Sequence, residues 1–99
     1  MNQEIKKKWV DALRSGKYKQ GRGRLKASGK FCCLGVLCSV VRAKNWVGDA
    51  LLPPHVRAKA GLDCYNPGVE YHRHQISLAA LNDDGMSFAE IADLIEEQL

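Results

Sequence analysis

Hydrophobic residues recur with helical spacing near the start of the chain. Ile5, Trp9 and Leu13 fall on one stripe, while the lysines at positions 6–8 fall mostly outside it. The pattern begins at Asn2 or Gln3, and Gly16 follows it as a residue that commonly ends helices. The sequence therefore predicts an amphipathic N-terminal helix that ends at about Arg14.

A second region of helical spacing occupies the C-terminus. A short helix is predicted from Ser77, ending at the turn-forming run NDDG over 82–85. Ser87 then caps a further helix, and Glu90, three residues later, completes a capping box. Met86 and Ile91 occupy the positions of a hydrophobic staple. The stripe expected to be buried on this last helix consists of Phe88, Ile91, Ala92, Leu94 and Ile95.

The middle of the chain contains an apolar run, CCLGVLCSVVRAK over 32–44, that predicts a buried central helix. Gly35 lowers helix propensity there, which indicates close packing or a local kink. Trp46 and Val47 are expected to pack back onto the core. A turn at Ser28-Gly29 predicts a hairpin of about 23–27 against 30–33.

Two weaker patterns follow. LLPPHVRAKAGL over 51–62 predicts a short helix that proline opens and Gly61 closes. VEYHRHQIS over 69–77 alternates in polarity and predicts one strand. The fold class expected for the 99 residues is therefore a single α+β domain, mainly helical, because a second domain would be too small to sustain its own core.

No apolar run approaches the roughly 18 to 20 residues that a membrane span needs, and the N-terminus does not read as a signal peptide. We therefore expect an intracellular protein that does not enter a membrane. In a reducing compartment its four cysteines, Cys32, Cys33, Cys38 and Cys64, are expected to be free thiols.

The distribution of charge is less ordinary, because basic and acidic residues are concentrated in different halves of the chain. The net charge of +4 combines +9 over residues 1–50, where twelve bases face three acids, with −5 over residues 51–99, where three bases face eight acids. Such asymmetry indicates either an anionic partner for the first half or contact between the halves, within or between subunits.

Most of the positive charge suited to binding lies in residues 17–30, KYKQGRGRLKASGK, called here the basic segment. It holds six bases, three glycines and no acid. Glycine lets a backbone approach an anion, and the arginine fork matches phosphate oxygens. The spacing matches neither a Walker A loop nor the dinucleotide fingerprint, and a flexible, solvated hairpin tip is the competing interpretation. The predicted ligand- and phosphate-binding residues are Lys17, Tyr18, Lys19, Gln20, Gly21, Arg22, Gly23 and Arg24, with Tyr18 expected to stack on a ring and Asn82 and Asp83 as candidate contacts to base or ribose.

The sequence supports three other chemistries less well. His72 and His74 with Cys64, Cys32 or Cys33 would form a zinc site, but no CxxC pair is present. A nucleophilic Cys33 or Cys38 would need a lowered thiol pKa, which an apolar setting opposes. A helix-turn-helix would place four acids and no base on its second helix, where they would repel phosphate. We therefore predict no metal, no cofactor and no catalytic residue.

Several motifs together resemble a group of small proteins of unassigned function that are frequent in bacteriophage genomes and prophages. They are SGKY at 15–18, QG at 20–21, FCCLGVLC at 31–38 and LND-x-G-x-SF-x-EIA at 81–92. The resemblance implies a viral origin and the cytoplasm of a bacterial host, and it carries over no binding residues.

Three functions are consistent with that origin. The first is a non-enzymatic antagonist of host defence that sequesters a nucleotide or cyclic nucleotide signal, as a homo-oligomer. The second is an interaction protein that blocks a host enzyme or its nucleic acid through the basic segment. The third and weakest is a hydrolase of such signals.

Overall fold

Two helices from opposite ends of the chain, α1 (Gln3–Arg14) and α5 (Phe88–Gln98), make the most extensive contact between any two elements. They belong to a computed structural model that describes residues 1–99. The predicted α+β, mainly helical class is confirmed, since five helices are accompanied by two small antiparallel hairpins. In chain order the elements are α1 (Gln3–Arg14), β1 (Lys26–Ala27), β2 (Lys30–Phe31), α2 (Cys33–Val40), α3 (Pro54–Ala60), β3 (Gly68–Tyr71), β4 (His74–Ser77), α4 (Leu78–Asp83) and α5 (Phe88–Gln98).

The ends of α1 and α5 follow their local capping residues. The side chain of Asn2 accepts a hydrogen bond from the Ile5 N–H at the start of α1. At α5, Ser87 Oγ accepts from the Glu90 N–H, and the Glu90 carboxylate accepts from the Ser87 N–H, so both halves of the predicted capping box are present. Each cap satisfies amide groups that a helix leaves unpaired in its first turn.

The predicted central helix is present as α2 but ends four residues earlier than expected. Val41 closes it, and Arg42 adopts a left-handed backbone with φ of 55°. Of the two alternatives for Gly35, close packing is the one that the structure has, because a β-carbon there would lie 1.8 Å from the Leu25 carbonyl oxygen. The central helix therefore sits directly against the backbone of the basic segment.

The two hairpins depart from the predicted strands. The first is shorter, pairing Lys26 with Phe31 and Ala27 with Lys30. The prediction of one strand over 69–77 is wrong, because β3 and β4 form a hairpin that turns at His72 and Arg73. Both turn residues have positive φ, 51° and 67°, a conformation that normally requires glycine or asparagine and so gave no signal in the sequence.

Around this frame, 23 buried hydrophobic residues form one core. Trp46 joins it at 7% exposure, but Val47 is 64% exposed, so the prediction that both pack inward is wrong for Val47.

The predicted short helix α3 is confirmed, with Gly61 closing it in the left-handed conformation. None of the helices is both long and apolar enough to cross a membrane.

Candidate functional site

The basic segment lies against the body of the protein and does not project as an isolated tip. The Gly21 N–H donates to the Phe31 carbonyl, and the Phe31 N–H donates to the Lys19 carbonyl, each at 2.7 Å. Gln20 thereby pairs with Phe31 in a parallel bridge beside the first hairpin. Further along, Leu25 is fully buried, and its N–H donates to the Asp49 carbonyl at 2.7 Å. Backbone hydrogen bonds therefore hold the segment at Lys19, Gly21 and Leu25.

Asn82, at the end of α4, holds the middle of the segment. It is the only polar residue that is buried, at 1% exposure. Its Oδ1 accepts from Gln20 Nε2 at 2.9 Å and from the Cys33 N–H at 3.2 Å, while its Nδ2 donates to the Gly21 carbonyl at 2.8 Å. A buried amide that satisfies three partners joins the basic segment, α2 and α4 at one point.

The two neighbours of this contact are fixed as well. Gln20 Nε2 also donates to the Met86 carbonyl at 2.7 Å. The Gly23 N–H donates to Asp83 Oδ1 at 3.0 Å. The amides of Gly21 and Gly23 thus both have partners within the protein, in contrast to the expectation that they face an anion. A β-carbon at Gly21 would lie 2.7 Å from Lys30 Cβ, so glycine is needed there for close approach.

What the segment offers to a ligand is its charged side chains. Five of its bases are exposed and Lys26 is partly exposed. None of the six has a carboxylate within ion-pairing distance. Arg24 Nη1 donates to the Gly48 carbonyl at 2.9 Å, which orients its guanidinium. The six bases are Lys17, Lys19, Arg22, Arg24, Lys26 and Lys30.

Aromatic side chains lie between these bases. Tyr18 and Phe31 meet edge to face with ring centroids 4.9 Å apart, and both rings are partly exposed. The Tyr18 hydroxyl is 3.1 Å from Ser39 Oγ, and Lys26 Nζ lies 4.9 Å from the centre of the Phe31 ring. The four main cavities of the molecule are lined by other residues, so the segment presents an open surface.

The predicted site residues therefore separate into two groups. The bases and Tyr18 reach the surface, whereas Asn82 lies inside and uses its amide within the protein. Asp83 is exposed but brings a negative charge next to Gly23. Sequence reasoning placed Asn82 in the same site as Gln20 and Gly21, and the structure brings them together as an internal support of the segment.

The opposite charges of the two halves meet where α1 packs on α5. Arg14 lies 2.6 Å from a carboxylate oxygen of Asp93 and 3.0 Å from one of Glu96. The hydrogen bond from Arg14 lowers the pKa of the Glu96 carboxyl below its usual range. Contact between the halves within one subunit, one of the two expectations from the charge pattern, is therefore present at this interface.

The remaining chemical candidates are dispersed. The cysteines are unpaired, with Cys64 exposed and the other three buried. Burial raises the pKa of the Cys38 thiol to about 12 and that of Cys33 well above its usual value, so both favour the unreactive thiol form. No group of three or more His, Cys, Asp or Glu side chains is placed to hold a metal ion.

Comparison with known proteins adds the family to which the chain belongs. Searches against curated proteins and against solved structures find no match. One family model, described as a domain of unknown function (DUF8296), matches residues 1–99. Because that match extends over all 99 residues described, the chain belongs to the DUF8296 family.

Proposed function

We propose that this protein is a phage-encoded, non-enzymatic binding protein that captures a phosphate-bearing partner in the bacterial host through its basic segment. The observation that carries the proposal is that six bases without an ion pair lie on one segment whose backbone is fixed. Basic side chains without ion pairs on a rigid support repel one another, and an anionic partner removes that repulsion.

The rigid support also favours binding in its own right. Gln20, Gly21 and Gly23 are held by Asn82 and Asp83, so the backbone between Lys19 and Arg24 loses little conformational freedom when a ligand arrives. Arginine can then bind phosphate oxygens in pairs, and Tyr18 offers a ring edge near the same surface. In this proposal the binding residues are the charged side chains and Tyr18, and Asn82 is a support.

The partner proposed first is a nucleotide or cyclic nucleotide signal of a host defence system, which the protein would sequester. An open surface contacts only one side of a small ligand, and a second copy of the chain placed over the segment would supply the other side. The proposal therefore includes a homo-oligomer, and it connects sequestration with subunit association.

Host nucleic acid is the second candidate partner, and the openness of the basic surface favours it. A polyanion binds along an open row of bases without needing an enclosing pocket. The rings of Phe31 and Tyr18 are partly exposed among the basic side chains. They would provide surfaces on which the nucleobases of a single strand can stack. An interaction of this kind would block the enzymes that act on that nucleic acid.

Thermal unfolding with a panel of linear and cyclic nucleotides, and in parallel with a single-stranded oligonucleotide, distinguishes the two partners. A nucleotide present at 100 times its Kd should add about 2.7 kcal/mol of stability. Oligonucleotide binding should instead weaken steeply between low and physiological salt. The double variant Lys19→Gln/Arg22→Gln should abolish either effect, whereas Lys7→Gln on α1, paired with Asp11, should leave it intact. Absence of binding to every nucleotide and to the oligonucleotide would refute the proposal.

A further inference from the structure

A second group of bases, separate from the basic segment, surrounds a groove between α1, the end of α2 and α3. Two cavities of about 410 and 260 Å³ adjoin there, and both are lined by Val41, Arg42 and Lys59. Lys8 lines the first cavity, and Lys44 and His55 line the second. We call this the cationic groove, and none of its lining residues belongs to the segment 17–30.

The groove combines an apolar floor with a basic rim. The partly exposed Ile5 and Val40, with Val41, form this floor in the larger cavity. Arg42, Lys44 and Lys59 are exposed at the edge of the groove. No carboxylate is among the residues that line either cavity. Among the basic lining residues only Lys8 has an ion pair, with Glu4 at 3.6 Å across an exposed helix face. Positive charge is therefore concentrated at the rim without a balancing acid in the groove.

The backbone of Arg42 is the most informative feature of this rim. The Arg42 N–H donates to the Ser39 carbonyl and the Ala43 N–H donates to the Cys38 carbonyl, the two bonds of a Schellman motif that ends α2. Arg42 thus takes, with φ of 55°, the left-handed position where glycine is favoured because a β-carbon is strained. An arginine at a position that favours glycine places a long cationic side chain at the groove at the expense of local stability.

Lys59 approaches the same helix end from α3. Its Nζ lies 3.5 Å from the Val41 carbonyl oxygen, a long contact that leaves the ammonium group with donors for another acceptor. Basic side chains near a helix C-terminus also interact favourably with the helix dipole. The alternative is that Lys59 only stabilises the C-terminal end of α2, and the experiment must separate that role from ligand binding.

We propose that the cationic groove binds a small organic phosphate, with a planar apolar part over Val40 and Val41 and phosphate oxygens on Arg42 and Lys59. The larger cavity lies within the range of roughly 300 to 1,000 Å³ that small-molecule sites occupy. An apolar floor with few convergent charges is the usual composition of such sites. A nucleoside diphosphate has both parts, whereas inorganic pyrophosphate has only the charges.

Calorimetric titration with ADP, pyrophosphate and adenosine tests this assignment. ADP should bind, pyrophosphate should bind more weakly, and adenosine, which lacks the phosphates, should bind least. Arg42→Gly removes the charge but retains the backbone conformation, so the affinity for ADP should fall by about tenfold, the effect of one lost charged hydrogen bond. The Tm of this variant should stay equal or rise, because glycine relieves the strain at position 42. Lys59→Gln should weaken ADP binding by a similar factor.

Lys7→Gln on α1, which lies outside both the groove and the basic segment, is the matched control and should leave the affinity for ADP unchanged. If the double variant Lys19→Gln/Arg22→Gln weakens ADP binding and Arg42→Gly does not, the nucleotide sits on the basic segment, which overturns the groove proposal and supports the proposed function. An absence of heat with both ADP and pyrophosphate overturns it as well. So does an Arg42→Gly variant that loses Tm while its affinity for ADP is unchanged, because Arg42 then serves only the end of α2.

Discussion

The basic segment and helix α5 are both well held, but by interactions of different range. The start of α5 depends on Ser87 and Glu90, which are three residues apart. The basic segment depends on Gln20 and Asn82, which are 62 residues apart, and on Gly23 and Asp83, which are 60 apart. A glycine-rich, charged stretch can therefore be firmly positioned when its hydrogen-bond partners come from elsewhere in the fold.

The two regions also treat charge differently. On the α5 side, Asp93 and Glu96 face Arg14, so acids and a base balance each other. In the basic segment none of the six bases has such a partner. Balanced charge at the α1–α5 interface serves the fold, and unbalanced charge on a fixed support is available for a partner, which is why the proposed function concerns the basic segment.

The largest expected effect comes from Gly35→Ala, which tests the close approach of α2 to the basic segment. The new β-carbon would overlap the Leu25 carbonyl oxygen, so helix and segment must separate. We expect a loss of about 3 kcal/mol or more in the free energy of unfolding, measured by urea denaturation, although alanine gains about 1 kcal/mol in helix propensity. Ala89→Gly on the exposed face of α5 is the control and should cost only about 1 kcal/mol. A Gly35→Ala variant as stable as the original chain would contradict the described packing.

Asn82→Ala should have the next largest effect and act on the basic segment. It leaves the Gln20 amide, the Gly21 carbonyl and the Cys33 N–H without their buried partner. We expect a loss of about 2 to 3 kcal/mol, with faster amide hydrogen exchange over residues 19–23. Asp84→Ala, which removes an exposed carboxylate two positions later, should change neither measurement. Unchanged exchange in Asn82→Ala would show that the backbone bonds alone hold the segment.

Ser87→Ala tests the local hydrogen bonds that hold the start of α5. Removal of the cap at α5 should cost about 1 kcal/mol, because the Glu90 N–H loses its acceptor. Hydrogen exchange in the first turn of α5 should accelerate, and exchange over residues 19–23 should not. If both regions respond together, the two are coupled and the contrast between local and long-range support does not hold.

The smallest effect on stability should come from lowering the pH, which weakens the ion pair at the α1–α5 interface. The pKa of Glu96 is lowered by Arg14, so the pair stabilises the folded protein above the unfolded pKa of about 4.3, and this contribution disappears as pH falls through the folded pKa. Glu96 is exposed, so solvent and salt weaken the effect. Tm measured from about pH 5 down to about pH 3 should fall slightly more steeply for the original chain than for Glu96→Gln. Equal slopes at low salt would show that the pair contributes nothing.

The sequence alone determined the features whose causes lie within a few residues. The limits of α1, the proline-opened and glycine-closed α3, and the capping box of α5 were all predicted, and the structure has them. The α+β class and the concentration of bases in residues 17–30 could also be predicted. These features follow from helical periodicity, capping chemistry and composition, which need no knowledge of distant contacts.

Only the tertiary structure decided where the rest of the chain goes. The turn at His72-Arg73 contains no glycine or asparagine that would predict it. Val47 is exposed although it is apolar. Asn82 could be named as a residue of interest, but its role required knowing that α4 ends beside Gln20 and Gly21. The physical reason is the same in each case: burial and hydrogen bonding are decided by partners far along the chain, and a local pattern does not contain them.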